Sequence, residues 1–134
     1  MVKEVDKMAA ETSVLKSIRK AVGLDPEDSS FDEELLMHAN TALFILNQNG
    51  VGGDVELLDE TLTWDDFKAT MNNVGSVHFM AIRSFVFIKV KMLFDPPPPS
   101  SAKYMAEAAD EYLWRLREAY DVGLVGLIVE EDEL

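Results

Sequence analysis

The chain has 134 residues, of which 48% are hydrophobic, so it is long and apolar enough for one folded domain and is not a disordered chain. Its 25 acidic and 12 basic residues give a formal net charge of −13, which argues against nucleic acid binding by the surface as a whole, since phosphates require cations. The absence of cysteine excludes disulfides, thiolate catalysis and cysteine-based zinc sites.

Apolar periodicity predicts two helices in the first part of the chain. The first spans residues 13–22, where apolar residues recur every four positions, and Gly23 suits the left-handed position after a helix. The second spans residues 31–48, and Ser30 lies three positions before Glu33, which is the spacing of a capping box. Its core stripe comprises Leu35, Ala39, Ala42 and Leu46.

The segment after the second helix, GVGGDVELLDETLT, contains three glycines and four acids. No Gly-Lys-Ser/Thr follows the glycines, so it is not a phosphate-binding loop. Its composition is typical of a mobile connection, with a loop that contacts a neighbouring molecule as the alternative. Thr63 and Asp66 then have capping spacing and predict a short third helix that ends near Asn72.

The longest apolar stretch predicts a central helix over residues 74–94. It is hydrophobic on nearly every side, which favours a position at the centre of the fold or between subunits. Alternation in FVFIKVK leaves a strand possible, but the run is far longer than an ordinary strand. Three basic residues interrupt it, so no membrane span is expected, and the N-terminal residues lack the apolar core of a signal peptide.

Four consecutive prolines follow the central helix. Because a residue before proline is pushed out of helical geometry, that helix should end at Phe94. Polyproline is extended and stiff, which predicts a rigid joint between two packed helices, with an exposed ligand for a proline-binding domain as the alternative. The joint comprises Asp95, Pro96, Pro97, Pro98 and Pro99.

The last helix is predicted over residues 102–120, with Ser100 or Ser101 as its cap. We expect Trp114 to be substantially buried against the central helix. One apolar stripe of this helix comprises Met105, Ala109, Leu113 and Leu116.

The final segment, DVGLVGLIVEEDEL, forms a predicted tail over residues 121–134, separate from a helical domain over residues 1–120. Two glycines discourage a helix, and the apolar run is β-prone although the helical body offers it no sheet. The tail is therefore expected to be disordered or to add a strand to a partner through Leu127, Ile128 and Val129. The chain as a whole is predicted to be all-α, a small bundle of about four principal helices.

Residue types that catalysis requires are sparse. His38 and His78 lie on predicted helices among apolar residues and are interpreted as packing or hydrogen-bonding residues. The sequence has no HExxH pattern and no His and carboxylate pairing at metal spacing. Acid pairs such as Asp65-Asp66 fit helix starts. We therefore predict a protein that is not an enzyme and has no cofactor or metal.

Charge is distributed unevenly along the chain. No acid lies between Phe67 and Phe94, although basic residues do. The basic residues are Lys68, Arg83, Lys89 and Lys91. They either pair with acids of neighbouring helices in the same chain or meet an acidic face of another copy, in a head-to-tail contact that can close into a ring. Arg83, Lys89 and Lys91 are the candidate subunit-interface residues.

Several stretches, taken together, resemble a known family. IKVKMLFDPPPPSS, followed by EYLWRL, resembles the head–tail connector proteins of long-tailed bacteriophages, also described as head-completion or adaptor proteins. LLMHANTALFILNQNGVG and WDDF are similar to the family in the same order. The resemblance covers residues 14–120, and the proline joint followed by Trp114-Arg115-Leu116 is its most specific part.

The resemblance implies an all-helical structural virion protein located in the neck. Such proteins form a homo-oligomeric ring of about twelve copies beneath the portal protein. The ring extends the DNA channel, lets DNA pass without sequence-specific binding, and offers a platform to a stopper or tail-completion protein. Assembly would take place in the host cytoplasm. A negative lumen fits this role, because it lets DNA slide without sticking.

Two other functions remain open on the sequence. An acidic protein that mimics DNA and inhibits a DNA-binding enzyme would share the net charge of −13, but it requires rows of carboxylates along one exposed face. Another neck component, such as a stopper or tail terminator, would be expected to contain more β-structure.

Overall fold

The computed structural model describes residues 13–71 and 75–121, and these residues form an all-α fold as predicted. The helices of the described residues are α1 (Val14–Ala21), α2 (Asp32–Gln48), α3 (Trp64–Ala69), α4 (Ser76–Phe94) and α5 (Pro99–Asp121). These residues contain no strand, only an isolated bridge between Ser13 and Thr63. The predicted tail, with Leu127, Ile128 and Val129, lies outside the described residues.

Helix α4 occupies the centre of the bundle. It packs against α2 and α5 and more lightly against α1. Its fully buried side includes Ile82, Phe85 and Val90, while α5 contributes Ala109 and Leu116 to the same core. The central position predicted for the apolar helix is therefore confirmed, and it explains why α4 is apolar on more than one side.

The start of α2 differs from the prediction. Ser30 does not cap it, because the Ser30 amide and side chain bond the carboxylate of Asp28 instead. The helix begins at Asp32, with Phe31 at the N-cap position and no side-chain cap. The ring of Phe31 packs edge-on against Phe94 with centroids 5.4 Å apart, which fixes the entry of the chain into α2.

The start of α5 also differs. Helix α4 ends at Phe94 as predicted, but Pro99 is already the first residue of α5, so only residues 96–98 lie between the two helices without regular structure beyond the bend at Asp95. The carbonyl of Pro98 accepts hydrogen bonds from the amides of Ser101 and Ala102, so neither Ser100 nor Ser101 is the cap. Proline is well suited to the first helical position, because its φ is already helical and its missing N–H is not needed there.

Trp114 is 56% exposed, so the prediction that it packs on the central helix was wrong. The stripe through Ala109 and Leu116 is buried as expected. Trp114 precedes Leu116 by two residues, which places it about 200° around the helix, on the solvent side. The tryptophan of the core is Trp64, which is 4% exposed.

The glycine-rich segment between α2 and α3 is anchored at several points. Val51 and Leu57 are buried, and the Asn40 side chain holds the Leu57 backbone by accepting from its N–H at 2.7 Å and donating to its carbonyl at 2.9 Å. A Cβ at Gly53 would lie 2.8 Å from the carbonyl oxygen of Thr70. The segment is thus packed on α2 and the end of α3, rather than loosely attached as its composition indicated.

Candidate assembly surfaces

Arg83, one of the predicted interface residues, lies on an aromatic platform. Its guanidinium carbon is 4.7 Å from the centroid of the Trp64 ring and 5.9 Å from that of Phe87. Trp64 is itself fixed, since its indole Nε1 donates a 3.0 Å hydrogen bond to the Ser17 hydroxyl. Cation–π contact holds the guanidinium in place while leaving its N–H groups able to meet a carboxylate.

Lys89 and Lys91 do not form one cluster with Arg83. Two residues turn about 200° around a helix, so the two lysines leave α4 on opposite sides. The Lys89 ammonium lies 5.8 Å from the ring centroid of the buried Phe85. Lys91 lies on the outer side, 3.8 Å from the carboxylate of Asp95. Lys91 thus meets an acid at the end of its own helix, which is neither an acid of a neighbouring helix nor an acid of another copy.

The outer side of α4 presents an apolar surface. Val77 and Met80 are exposed, Met80 by 65%, and Ser84 follows one turn later. An open groove of about 220 Å³ is lined by Met80, Arg83, Ser84 and Phe87. We call the surface formed by Val77, Met80, Ser84, Phe87 and Lys91 the α4 face.

A second apolar surface lies on the outer side of α2. Met37 and Phe44 are exposed, Phe44 by 58%, and Thr41 lies between them. The sequence has no Asp, Glu, Lys or Arg from Leu35 to Gln48. We call the surface formed by Glu34, Met37, Thr41, Phe44 and Gln48 the α2 face.

The α2 face becomes acidic at its N-terminal end. A groove of about 310 Å³ lies there. It is lined by Ser30, Phe31, Glu33, Glu34 and Met37. Apolar side chains beside carboxylates therefore face outward from this end of the bundle.

The outer side of α5 is acidic instead. Glu107, Glu111 and Glu118 are exposed along one side of the helix, with Trp114 among them. Glu111 accepts a 3.1 Å hydrogen bond from Arg115, one turn away. The described part of the chain thus presents two largely uncharged helix faces and one acidic helix face.

Comparison with known proteins places the chain in a family. A family model described as phage connector protein matches residues 14–123. The chain belongs to the phage connector protein family. No curated protein and no solved structure matches it significantly.

Membership in the family makes the protein a head–tail connector located in the neck of the virion, where it contacts the portal or neighbouring phage proteins. The family is a structural one. Among the described residues of the connector, no helix has the length and apolarity needed to cross a membrane.

Sequence reasoning missed Arg19, which organises the N-terminal half of the connector. Its side chain is 1% exposed and donates to Asp32 at 2.6 and 2.9 Å, to Glu60 at 3.0 Å, and to the carbonyl of Pro26 at 2.6 Å. The hydrogen bonds that Arg19 donates to Asp32, together with the one it donates to Glu60, raise the pKa of Arg19 despite the opposing effect of burial. The only signal in the sequence was a basic residue beside the apolar stripe of α1.

His38 contacts a carboxylate of its own helix. His38 lies 3.3 Å from Glu34 on the same helix, which fits the hydrogen-bonding role expected for it. Within residues 13–71 and 75–121, no three His, Asp or Glu side chains are grouped so as to hold a metal ion.

Burial raises the pKa of Tyr120, whose hydroxyl is buried without a hydrogen-bond partner in the described part of the chain.

Proposed function

We propose that this connector is the adaptor that forms a ring of about twelve copies beneath the portal. The ring extends the DNA channel and provides the docking platform for a stopper or tail-completion protein. The proposal of a ring is supported mainly by two exposed, largely uncharged helix faces on a chain with a net charge of −13. Such faces are typical of surfaces that are covered in an assembly.

The acidic face of α5 supports a position facing the channel. Glu107, Glu111 and Glu118 repel DNA phosphates, so DNA passes such a surface without binding it. The role requires neither a catalytic group nor a cofactor.

Charge supports contacts between copies through unlike faces. Arg83, Lys89 and Lys91 engage acids of the neighbouring subunit in this proposal, with Arg83 and Lys91 the better placed of the three. Exposed ion pairs each contribute about 0–1 kcal/mol, so apolar contacts must supply most of the stability of the ring. Replacing Lys89 and Lys91 together by Glu should prevent ring formation while leaving the helical content unchanged.

The tail over residues 121–134 is proposed to dock on the portal or on an adjacent subunit. Leu127, Ile128 and Val129 would add a strand to the receiving sheet. The helical domain over residues 1–120 would then form the body of the ring, assembled on the head in the host cytoplasm.

The test is binding to DNA-filled heads that carry portal but lack neck proteins. Full-length protein should bind them, and electron microscopy should show an added ring below the portal. Heads that remain bare would contradict the proposal. The Lys89 and Lys91 double variant should leave the heads bare, and Lys103→Glu, on α5, serves as the matched control that should still bind.

The acidic row on α5 also suits the second candidate, an inhibitor that mimics DNA. That function predicts a complex between the protein and a DNA-binding enzyme, which added duplex DNA would displace. The absence of strands from the described residues favours an adaptor over a stopper or tail terminator, for which we expect more β-structure.

A further inference from the structure

We propose that the α2 face of one copy docks antiparallel on the α4 face of the next copy, with Phe44 in the groove beside Met80 and Glu34 opposite Lys91. This inference rests on the proposed function, because it names the two surfaces through which the copies in the ring meet.

The composition of the two faces is that of an interface core. Charged residues are depleted at the centre of protein interfaces, whereas Met and Phe are enriched. The α2 face contains the exposed Met37 and Phe44 with uncharged Thr41 between them, and the α4 face contains the exposed Met80 and the half-buried Phe87. In a chain in which 28% of residues are charged, a helix surface of this kind is costly to leave in water.

The charges at the edges of the two faces are complementary. The groove at the start of α2 is flanked by Glu33 and Glu34, and the groove on α4 is flanked by Arg83, with Lys91 further along the same side. One face therefore supplies carboxylates and the other supplies cations. This match between two surfaces of the same molecule identifies a second copy as the occupant.

The spacing along the helices fixes the direction of docking. Glu34 and Phe44 are ten residues apart, which is about 15 Å along a helix, and Lys91 and Met80 are eleven residues apart, about 16 Å. If Glu34 lies opposite Lys91 and the helices run antiparallel, Phe44 reaches the groove beside Met80. A parallel arrangement with the same ion pair would carry Phe44 beyond the end of α4.

The placement of the two helices allows the contact to repeat. The buried stripe of α2 packs on α4, so the α2 face points away from α4, while the α4 face lies on the side of α4 away from the core. One copy can thus use both faces at once, each with a different neighbour. A contact between unlike faces closes into a ring when the rotation per copy allows it.

The experiment exploits the absence of cysteine from the chain. Single-cysteine variants of the full-length protein, Phe44→Cys, Met80→Cys and Trp114→Cys, are mixed in pairs and treated with a short thiol-to-thiol cross-linker over a range of protein concentrations. All three positions are exposed, so folding should be preserved, and circular dichroism checks this. The Trp114→Cys variant is the matched control, since it places an equally exposed thiol on α5.

The mixture of Phe44→Cys and Met80→Cys should give at least tenfold more linked dimer than either variant alone or than any pair containing Trp114→Cys. Efficient linking of Phe44→Cys to itself would show a two-fold contact and overturn the proposal. So would equal linking of all pairs or no linking at any concentration. A double variant, Phe44→Cys with Leu127→Cys, tests the tail separately. Efficient linking within one chain of that variant would make the tail the occupant and would also overturn the proposal.

Ring formation by the unmodified protein on portal-bearing heads is measured separately. Rings without the predicted cross-link mean that the faces are assigned wrongly while the adaptor function stands. Heads that stay bare contradict the adaptor function itself.

Discussion

Arg19 shows how a single side chain can hold three segments of a small helical protein together. Its guanidinium joins α1 to the start of α2 through Asp32 and to the segment before α3 through Glu60. A buried charge is tolerated only when its hydrogen bonds are satisfied, and here the Pro26 carbonyl accepts from the guanidinium as well. Glu60 lies four residues before Trp64, so this contact also restrains the chain near the aromatic ring on which Arg83 lies.

Replacing Arg19 by Met should lower the free energy of unfolding by about 3 kcal/mol, because it breaks a buried charge pair. Asp32 and Glu60 are partly exposed and can regain water, which keeps the loss near the low end of the range for such changes. Urea denaturation measures the effect. The control is Arg115→Met, which removes only an exposed pair with Glu111 and should change stability by less than about 0.5 kcal/mol. Equal losses for the two variants would show that the contacts of Arg19 stabilise the fold no more than an exposed ion pair does.

The two tryptophans should respond in opposite ways to substitution. Trp64→Ala removes a buried ring, its hydrogen bond to Ser17 and the platform for Arg83, so we expect a loss of about 3–5 kcal/mol in the free energy of unfolding. Trp114→Ala should cost less than about 1 kcal/mol, because Trp114 is solvent-exposed. Thermal unfolding of both variants compares them directly. A larger loss for Trp114→Ala would place Trp114, and not Trp64, in the core.

At the scale of the helices, two similar sequence patterns have different outcomes. Thr63 and Asp66 form a complete capping box, with the Thr63 hydroxyl accepting from the Asp66 amide and the Asp66 carboxylate accepting from the Thr63 amide. Ser30 and Glu33 have the same spacing, yet the Ser30 amide donates a hydrogen bond to the Asp28 carboxylate. The turn before α2 therefore decides where that helix begins.

Thr63→Ala should destabilise the protein by about 1 kcal/mol, the typical value for loss of an N-cap side chain. Ser30→Ala should cost less, since its hydroxyl does not cap α2. Chemical denaturation of both variants tests the comparison. If Ser30→Ala proved the more damaging, the capping box read from the sequence at α2 would be the correct description.

The sequence was sufficient to predict those features of the fold that depend on periodicity or on local covalent geometry. The end of α4 at Phe94 follows from the proline after Asp95, and the buried stripe of α5 follows from four-residue spacing. The features it could not supply depend on contacts between distant segments. No local pattern in the sequence indicates that Trp64 rather than Trp114 belongs to the core. No local pattern indicates that Arg19 is buried.

The assembly surfaces were predictable only in part, for the same reason. The acid-free window indicated α4, but helix geometry separates Lys89 from Lys91, and Arg83 is placed by the distant Trp64. The exposed Met37 and Phe44 could not be told from core residues, because α2 is apolar on several sides.

At the scale of the whole molecule, the tail and the helical body should be separable. A chain truncated after Val122 should keep its helical content and thermal stability but fail to attach to portal-bearing heads. Ordering the tail costs about 1–2 kcal/mol per residue in backbone entropy, so docking must bury Leu127, Ile128 and Val129 to offset it. Replacing only the terminal acids Glu130, Glu131, Asp132 and Glu133 by Gln serves as the control, and it should preserve attachment. Attachment by the truncated chain would show that the tail is not needed for docking and serves only to keep the protein soluble.

The distribution of long-range hydrogen bonds has a consequence for how the protein opens. The bonds from Ser13 and Arg19 to Glu60, from Trp64 to Ser17 and between Asn40 and Leu57 all close loops within residues 13–71. Helix α5 packs on α4 with apolar residues such as Ala109 and Leu116 in the contact. Native-state hydrogen exchange should therefore show α5 amides exchanging through a local opening of lower free energy than the amides of α1 and α2. Protection that is uniform from α1 to α5 would instead mean that the bundle opens as one cooperative unit.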